Sequence, residues 1–237
     1  MTAYVFVHGM PGNAYTWESF FEHAPSGVRC IGWDGPDCGD GPDVPGATLV
    51  DYENALMEEV KGAGSDVVLV GHSFGAWLVA RVLPRLGGAV RRAVLISGLP
   101  SLTKEHADSF VGLADALASG AVAVEQAVGI AVDLWLPTEN RDPIHVSWIE
   151  RMMRHEGKDR LARGLRRIVP LADPAWAVGP YETPASLVHS EADRAAPLAY
   201  GQALAALGRD TKMTVLPGDS HMVQWTAPEA LARIVFA

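Results

Sequence analysis

Short, unbroken apolar runs rich in β-branched residues recur along the chain, and most are followed by a segment with helical spacing. The runs are Tyr4 to Val7, Arg29 to Trp33, Val67 to Val70, Ala93 to Ile96, Ala185 to His189 and Lys212 to Leu216. Continuous rather than alternating hydrophobicity suits strands buried on both faces of a parallel sheet. Parallel neighbours need long crossovers. Helical patterns at Leu49 to Lys61, Ala76 to Leu86, Ala199 to Leu207 and Pro228 to Val235 supply most of them. The alternation predicts an α/β fold, a mostly parallel sheet with helices on both faces.

One stretch departs from the alternation. Between Leu99 and Thr183 the sequence offers no convincing strand, only Ala-, Leu- and Arg-rich segments such as Ser109 to Val132 and His145 to Val169. A Pro-rich passage, Pro170, Pro174, Pro180 and Pro184, then leads back to the next strand. The expected organisation is a core of residues 1–98 and 185–237, with 99–184 as an inserted helical cap or lid. The plainer alternative is a run of ordinary crossover helices. No internal repeat or low-complexity tract is evident.

Composition narrows the partners. The formal net charge is -9, which argues against nucleic acid and against an anionic membrane surface, since both are bound by clustered Lys and Arg. Cys30 and Cys38 are the two cysteines. They form no CxxC pair and no Cys/His ligand spacing, so two reduced thiols are expected, with no metal site. The apolar run at Tyr4 to Val7 stops at His8-Gly9, unlike a signal peptide. No apolar stretch approaches the roughly 20 residues that span a bilayer. A cytoplasmic protein with a small-molecule substrate is expected; the oligomeric state is not legible.

Chemistry concentrates in Val67-Val-Leu-Val-Gly71-His72-Ser73-Phe74-Gly75-Ala76-Trp77. It fits G-x-S-x-G, with an apolar strand before it and a helical pattern after it, the context that gives this motif meaning. A nucleophilic serine there must sit on a tight, strained turn so that its hydroxyl projects from the sheet. Gly71 and Gly75 leave room for strand and helix to approach. The helix N-terminus then presents N–H groups to a developing oxyanion. The bland alternative is a Gly-rich strand-to-helix junction carrying a surface serine.

In these residues the chain resembles the α/β-hydrolase superfamily. His8-Gly9-Met10-Pro11-Gly12 looks like that family's HG-x-P-G loop, and Asp34-Gly35-Pro36-Asp37-Cys38-Gly39 resembles its D-x-P-G-x-G loop, with Asp37 where glycine is usual. The resemblance implies an oxyanion hole built from the backbone N–H groups of Met10 and Phe74. Family members commonly begin with two more strands before the HG loop. The expectation here is a shortened sheet of six parallel strands in the order 2-1-3-4-5-6, with its binding crevice beside strand 1.

A serine needs a neighbouring base, and eight histidines compete for the role. His8 and His72 lie inside loop motifs and are read as shaping backbone. His23, His106, His145 and His155 lie in helix-like or inserted segments, and His189 ends a strand. His221 follows the last strand, in Leu216-Pro-Gly-Asp-Ser-His221, ahead of a helix that starts near Pro228. The resemblance points to the same residue, with Ser220 where the family often has glycine. For the acid, Ser190-Glu191-Ala192-Asp193-Arg194-Ala195-Ala196-Pro197 resembles the family's G-x-x-D-x-x-x-P, with Ser190 replacing glycine. Asp193 takes the acid position; Glu191 and Asp219 are rivals, and a helix-capping role is the alternative for Asp193. The order Ser73, Asp193, His221 is the one this fold uses.

The expected activity is a serine hydrolase acting on a small hydrophobic ester through an acyl-enzyme, with no cofactor. A serine rather than an aspartate nucleophile argues against haloalkane dehalogenase and epoxide hydrolase chemistry. Carbon–carbon bond hydrolysis, perhydrolysis and a hydroxynitrile-lyase reaction remain open on the same residues, as does a small-molecule binding or receptor module. Phe110, Trp135, Trp148, Met152, Met153 and Trp176 of the insertion are read mainly as its own core. Arg151, Arg154, Arg163, Arg166 and Arg167 are read as a solvated helix face.

Overall fold

A computed structural model describes residues 2–139 and 141–237. Six parallel strands form one sheet: β1 (Ala3–Val7), β2 (Arg29–Trp33), β3 (Val67–His72), β4 (Val90–Ile96), β5 (Ala185–Ser190) and β6 (Thr211–Leu216). Their spatial order is β2-β1-β3-β4-β5-β6, as the family resemblance implies. Each run in the sequence becomes a strand. β1, β3 and β5 are buried along their whole length apart from the half-buried Ser186, and β4 is buried from Ala93 on. The two edge strands differ from expectation. β2 and β6 keep several residues exposed, because nothing pairs with their outer edges and their faces are only partly covered.

The helices are α1 (Leu49–Ala63), α2 (Phe74–Leu86), α3 (Lys104–Ser119), α4 (Val124–Trp135), α5 (Pro143–Ile168), α6 (Leu198–Ala205), α7 (Val223–Thr226) and α8 (Pro228–Val235). Strand residues alternate between two apolar layers, as the period of two requires. Val5, Val7, Val67, Leu69, Ala93 and Leu95 face α1, α2 and α6. Tyr4, Phe6, Val68, Val70, Val94 and Ile96 face α8 and the short 3-10 turns Ala14–Trp17 and Phe20–His23. α1 begins at a capping box in which Asp51 accepts from Thr48 N at 2.7 Å. The short helix α7 was not foreseen; it packs through Trp225 into the inserted segment.

Helices α3, α4 and α5 stand between β4 and β5 and carry a separate apolar cluster that includes Ala114, Leu117, Ala131, Ile149, Met153 and Leu165. Helix α5 breaks at Gly157, where φ is 68° and ψ 169°. No helix among the described residues is long and apolar enough to cross a membrane.

Of the five α5 arginines read as a solvated face, Arg151, Arg154 and Arg166 are exposed as expected, whereas Arg163 and Arg167 turn to the loop after β2. Arg163 grips Asp37 with two bonds, 2.7 and 2.8 Å, and Arg167 adds a third at 3.0 Å. Arg160 donates to Gly39 O at 2.8 Å. Nearby, the buried Glu156 accepts from Asn13 Nδ2 at 2.6 Å and from Gly39 N at 2.8 Å. The outer arginines pair too: Arg151 with Glu18, Arg154 with Glu125 and Arg166 with Asp115. Asp37 thus acquires a reason. It holds φ 61°, the left-handed region that glycine occupies without strain, and its carboxylate ties α5 to the loop after β2. Burial alone would raise its pKa, but the bonds and charges of Arg163 and Arg167 hold it below the ordinary carboxylate value.

Removing the carboxylate leaves Arg167, which is buried, without its anion. Asp37→Gly relieves the backbone yet should still lose roughly 3 kcal/mol of stability in urea denaturation, because one partner of a buried ion pair remains. The contribution of a depressed carboxylate is complete above the unfolded value near pH 4 and is lost as pH falls through the lower folded value. The variant's stability deficit should therefore shrink below about pH 4. A variant as stable as the parent would show that backbone relief outweighs the ion pairs.

Candidate active site

Ser73 sits between β3 and α2 with φ 54° and ψ -118°. Its N–H donates to Ile96 O at 2.8 Å and its carbonyl accepts from Ala76 N at 3.0 Å and Trp77 N at 3.2 Å, so the strained turn is held on both sides. The two glycines of the motif are sterically required. A Cβ on Gly71 would lie 2.4 Å from Gly75 O, and one on Gly75 would lie 2.3 Å from Val7 O.

His221 follows β6 and is buried. Its Nδ1 lies 2.8 Å from Asp193 Oδ2. A carboxylate only accepts, so Nδ1 carries a proton. Asp193 Oδ1 accepts from Ala195 N and Ala196 N, both at 2.9 Å. Burial pushes the Asp193 pKa up. The opposing charge and hydrogen bond of His221, the Ala196 N–H and the nearby His189 outweigh it and hold the group below its ordinary value. The helix-capping alternative for Asp193 does not hold: α6 starts at Leu198 after Pro197 with no side-chain cap bond, and the carboxylate instead gives one oxygen to the turn at 195–196 and the other to His221. His189 Nε2 donates to Ala196 O at 2.6 Å and lies 3.7 Å from Asp193 Oδ2.

The structure brings Ser73, His221, Met10 and Phe74 together on the wall of one cavity. Among the described residues no hydrogen bond joins Ser73 Oγ to the His221 ring, and the N–H groups of Met10 and Phe74 have no acceptor. Apo sites often leave such bonds long until substrate arrives. The two rival carboxylates are elsewhere: Glu191 is exposed, and Asp219 is engaged with Thr138.

The loop carrying His221 is sewn down by residues that motif matching left unexplained. Ser190 Oγ donates to Ser220 O at 2.6 Å, and Ser220 Oγ accepts from Met222 N at 3.1 Å. Each serine stands where the family pattern has glycine; the Ser190 hydroxyl fixes the His221 loop from the loop after β5, and the Ser220 hydroxyl donates to Trp135 O at 3.3 Å. His72 Nε2 donates to His221 O at 2.9 Å. Burial first, and then the nearby charge of His221, lower the His72 pKa to about 3, so it stays a neutral donor. From the inserted helices, the carbonyl at the end of α4, Trp135 O, accepts from His221 N at 2.9 Å. Just beyond it, Asp219 accepts from Thr138 N at 3.1 Å and Thr138 Oγ1 at 2.7 Å, and Arg194 donates to Leu136 O at 2.7 Å.

The cavity occupies roughly 870 Å3, counting its open mouth. Phe110, Trp135 and Met153 line it; Trp148 and Met152 pack in the cluster of the inserted helices, and Trp176 packs on the sheet core. All but Trp176 pack in the cluster of the inserted helices, as the sequence reading has it, and Phe110, Trp135 and Met153 face the cavity as well. Leu99, Leu102, Leu113, Ile130 and Ile168 complete much of the wall, and they had no sequence signature beyond being apolar. Among the described residues no group of three or more His, Cys, Asp or Glu is placed to hold a metal.

Comparison with known proteins agrees with this geometry. A family model described as the alpha/beta hydrolase family matches residues 4–234. No match was found among curated proteins. Similar solved structures include a thermophilic esterase from Thermogutta terrifontis, at 18% identity and TM-score 0.80, covering 100% of this chain and 88% of that one. The enol-lactonase from Burkholderia xenovorans is 18% identical with TM-score 0.83, covering 99% and 90%. MenH from S. aureus is 14% identical with TM-score 0.83, covering 99% and 92%. At these identities the likeness is one of fold.

The link between α4 and the His221 loop makes a specific prediction. Asp219→Ala removes the acceptor for Thr138 and should cost only about 1 kcal/mol of global stability. Hydrogen exchange at the amides of His221 and Met222 should nevertheless speed up markedly. Unchanged protection there would show that the Thr138–Asp219 bonds contribute nothing to holding the loop beyond what Trp135 O, Ser190 and His72 supply.

Proposed function

The chain belongs to the α/β-hydrolase family, and on that premise we propose that it is a serine hydrolase acting on a small hydrophobic ester. One observation carries the reading: His221, oriented by Asp193 at 2.8 Å, shares a cavity wall with a serine held at φ 54° on the strand-to-helix turn. In the proposed reaction Ser73 Oγ attacks the ester carbonyl carbon while His221 Nε2 takes its proton. Asp193 stabilises the resulting imidazolium. The N–H groups of Met10 and Phe74 receive the oxyanion, in the role that preorganised donors play in acyl transfer. The tetrahedral intermediate collapses, the alkoxide takes the proton from His221, and the alcohol leaves an acyl group on Ser73. Water, deprotonated by His221, attacks that acyl group and releases the acid.

The apolar wall of the cavity supports an ester whose bulk is hydrocarbon. With no charged side chain lining it, a substrate carrying a carboxylate near the reacting carbon would lose hydration without gaining a partner.

Kinetics on short-chain p-nitrophenyl esters test the assignment. Ser73→Ala and His221→Ala should each lower kcat by roughly 10^4-fold or more, and the double variant should fall little further, because the residues act as a unit. Asp193→Asn should lower kcat by about 10^4-fold with little change in KM. Retained turnover in Ser73→Ala would remove the nucleophile assignment. Tight, saturable binding with no turnover by the parent protein would put a binding module in its place.

A further inference from the structure

Three neighbouring strands end in a buried side-chain donor, and the three donors reach two consecutive carbonyls. His72 is the last residue of β3, Ser97 follows the last residue of β4, and Ser190 is the last residue of β5. His221 O accepts from His72 Nε2 at 2.9 Å and from Ser97 Oγ at 3.3 Å. Ser220 O accepts from Ser190 Oγ at 2.6 Å. The row is tied to the serine of the strand-to-helix turn as well. Ser73 N donates to Ile96 O at 2.8 Å, which joins the His72–Ser73 peptide to the Ile96–Ser97 peptide. A closed ring of chain and hydrogen bonds therefore runs from Ser73 through His72 to His221 O, and back through Ser97 and Ile96.

A buried carbonyl needs one partner, and His72 alone supplies it for His221 O. Ser97 is the residue that this need does not explain. It holds φ 48°, in the left-handed region that glycine enters without strain, and its N–H donates to Val188 O at 2.9 Å. Glycine would suit that backbone better; what the serine adds is a second hydrogen bond on His221 O. An outlier of this kind, fully buried beside a reacting group, points to a role in holding that group. We propose that His72, Ser97 and Ser190 are positioning residues that fix the main chain of His221 against that of Ser73. The imidazole is then free only about its own side-chain bonds, and Asp193 sets its rotation. The assignment rests on the serine-hydrolase reading and deepens it, because that reading names the reacting side chains but not what sets the gap between them.

The rate at which a fluorophosphonate labels Ser73, together with kcat and KM on a short-chain p-nitrophenyl ester, reads the positioning. In Ser97→Gly/Ser190→Ala the labelling rate and kcat should both fall by about ten- to a hundredfold, the scale on which small misplacements of reacting groups act. KM should stay within about twofold, since neither side chain lines the cavity. Ser97→Gly alone relieves the backbone, so its kcat should fall without a lower melting temperature. His72→Leu should show the same split between kcat and KM. His72→Gln, which returns an N–H near the place of Nε2, should recover most of that loss. Folded variants that label and turn over at the parent rate overturn the assignment, as do losses confined to KM. If His72→Leu fails to fold, the serine variants decide. A labelled parent with undiminished variants removes the positioning row and leaves the nucleophile in place. A folded parent that takes no label and hydrolyses no ester removes the serine-hydrolase reading itself, and the positioning role with it.

Discussion

Where β3 turns into α2, the backbones approach so closely that a Cβ on Gly71 would lie 2.4 Å from Gly75 O, and one on Gly75 would lie 2.3 Å from Val7 O. That crowding joins three parts of the molecule at one point: the end of β1, the end of β3 and the start of α2. It forces Ser73 into a conformation that costs on the order of 1–3 kcal/mol for a non-glycine residue. The surrounding hydrogen bonds to Ile96 O, Ala76 N and Trp77 N hold it there. The same point is where the strand order reverses, since β1 lies between β2 and β3. Loops from both directions therefore open a crevice at that place, and the Met10 loop comes to lie beside Ser73.

The inserted helices are bound to this site from two sides. Asp37 and Glu156 draw α5 onto the loop after β2 and onto Asn13 of the loop after β1. The end of α4 holds the His221 loop through Trp135 O and Thr138. The first contact works through buried charge, where losing one partner is far more costly than the pair is stabilising. The second works through a main-chain carbonyl, which any residue at position 135 would supply. The cavity beneath α3 to α5 thus lies against helices whose far ends hold the His221 loop and the loop that carries Met10.

The strands were legible because a parallel sheet leaves an unbroken apolar run for each one, and their order was the one that the family resemblance implies. The positions of Ser73, Asp193 and His221 were legible because each sits in a short motif at the end of a strand. What those motifs could not convey was the use made of their departures. Asp37, Ser190 and Ser220 each replace a glycine of the family pattern. Their partners, Arg163, Arg167 and one another, are distant in sequence. Arg163 and Arg167 looked like part of the solvated face that Arg151, Arg154 and Arg166 do form, because spacing along a helix says nothing of which side meets another loop. The cavity wall was illegible for a related reason. An apolar residue facing a cavity and one filling a core obey the same pattern, so Ile149, in the core of the inserted helices, and Ile130, on the cavity wall, could be separated only by their surroundings. Trp135 O left no trace at all, being backbone.

The central claim, that the turn after β3 presents a serine activated by His221, is tested most directly by trapping the intermediate it implies. Protein mixed with a short-chain p-nitrophenyl ester and quenched in acid within the first turnover should carry one acyl group, mapped by mass spectrometry to the peptide containing Ser73. The adduct should be absent in Ser73→Ala. Turnover with no acyl group on Ser73, or an acyl group found on another residue, would contradict the account.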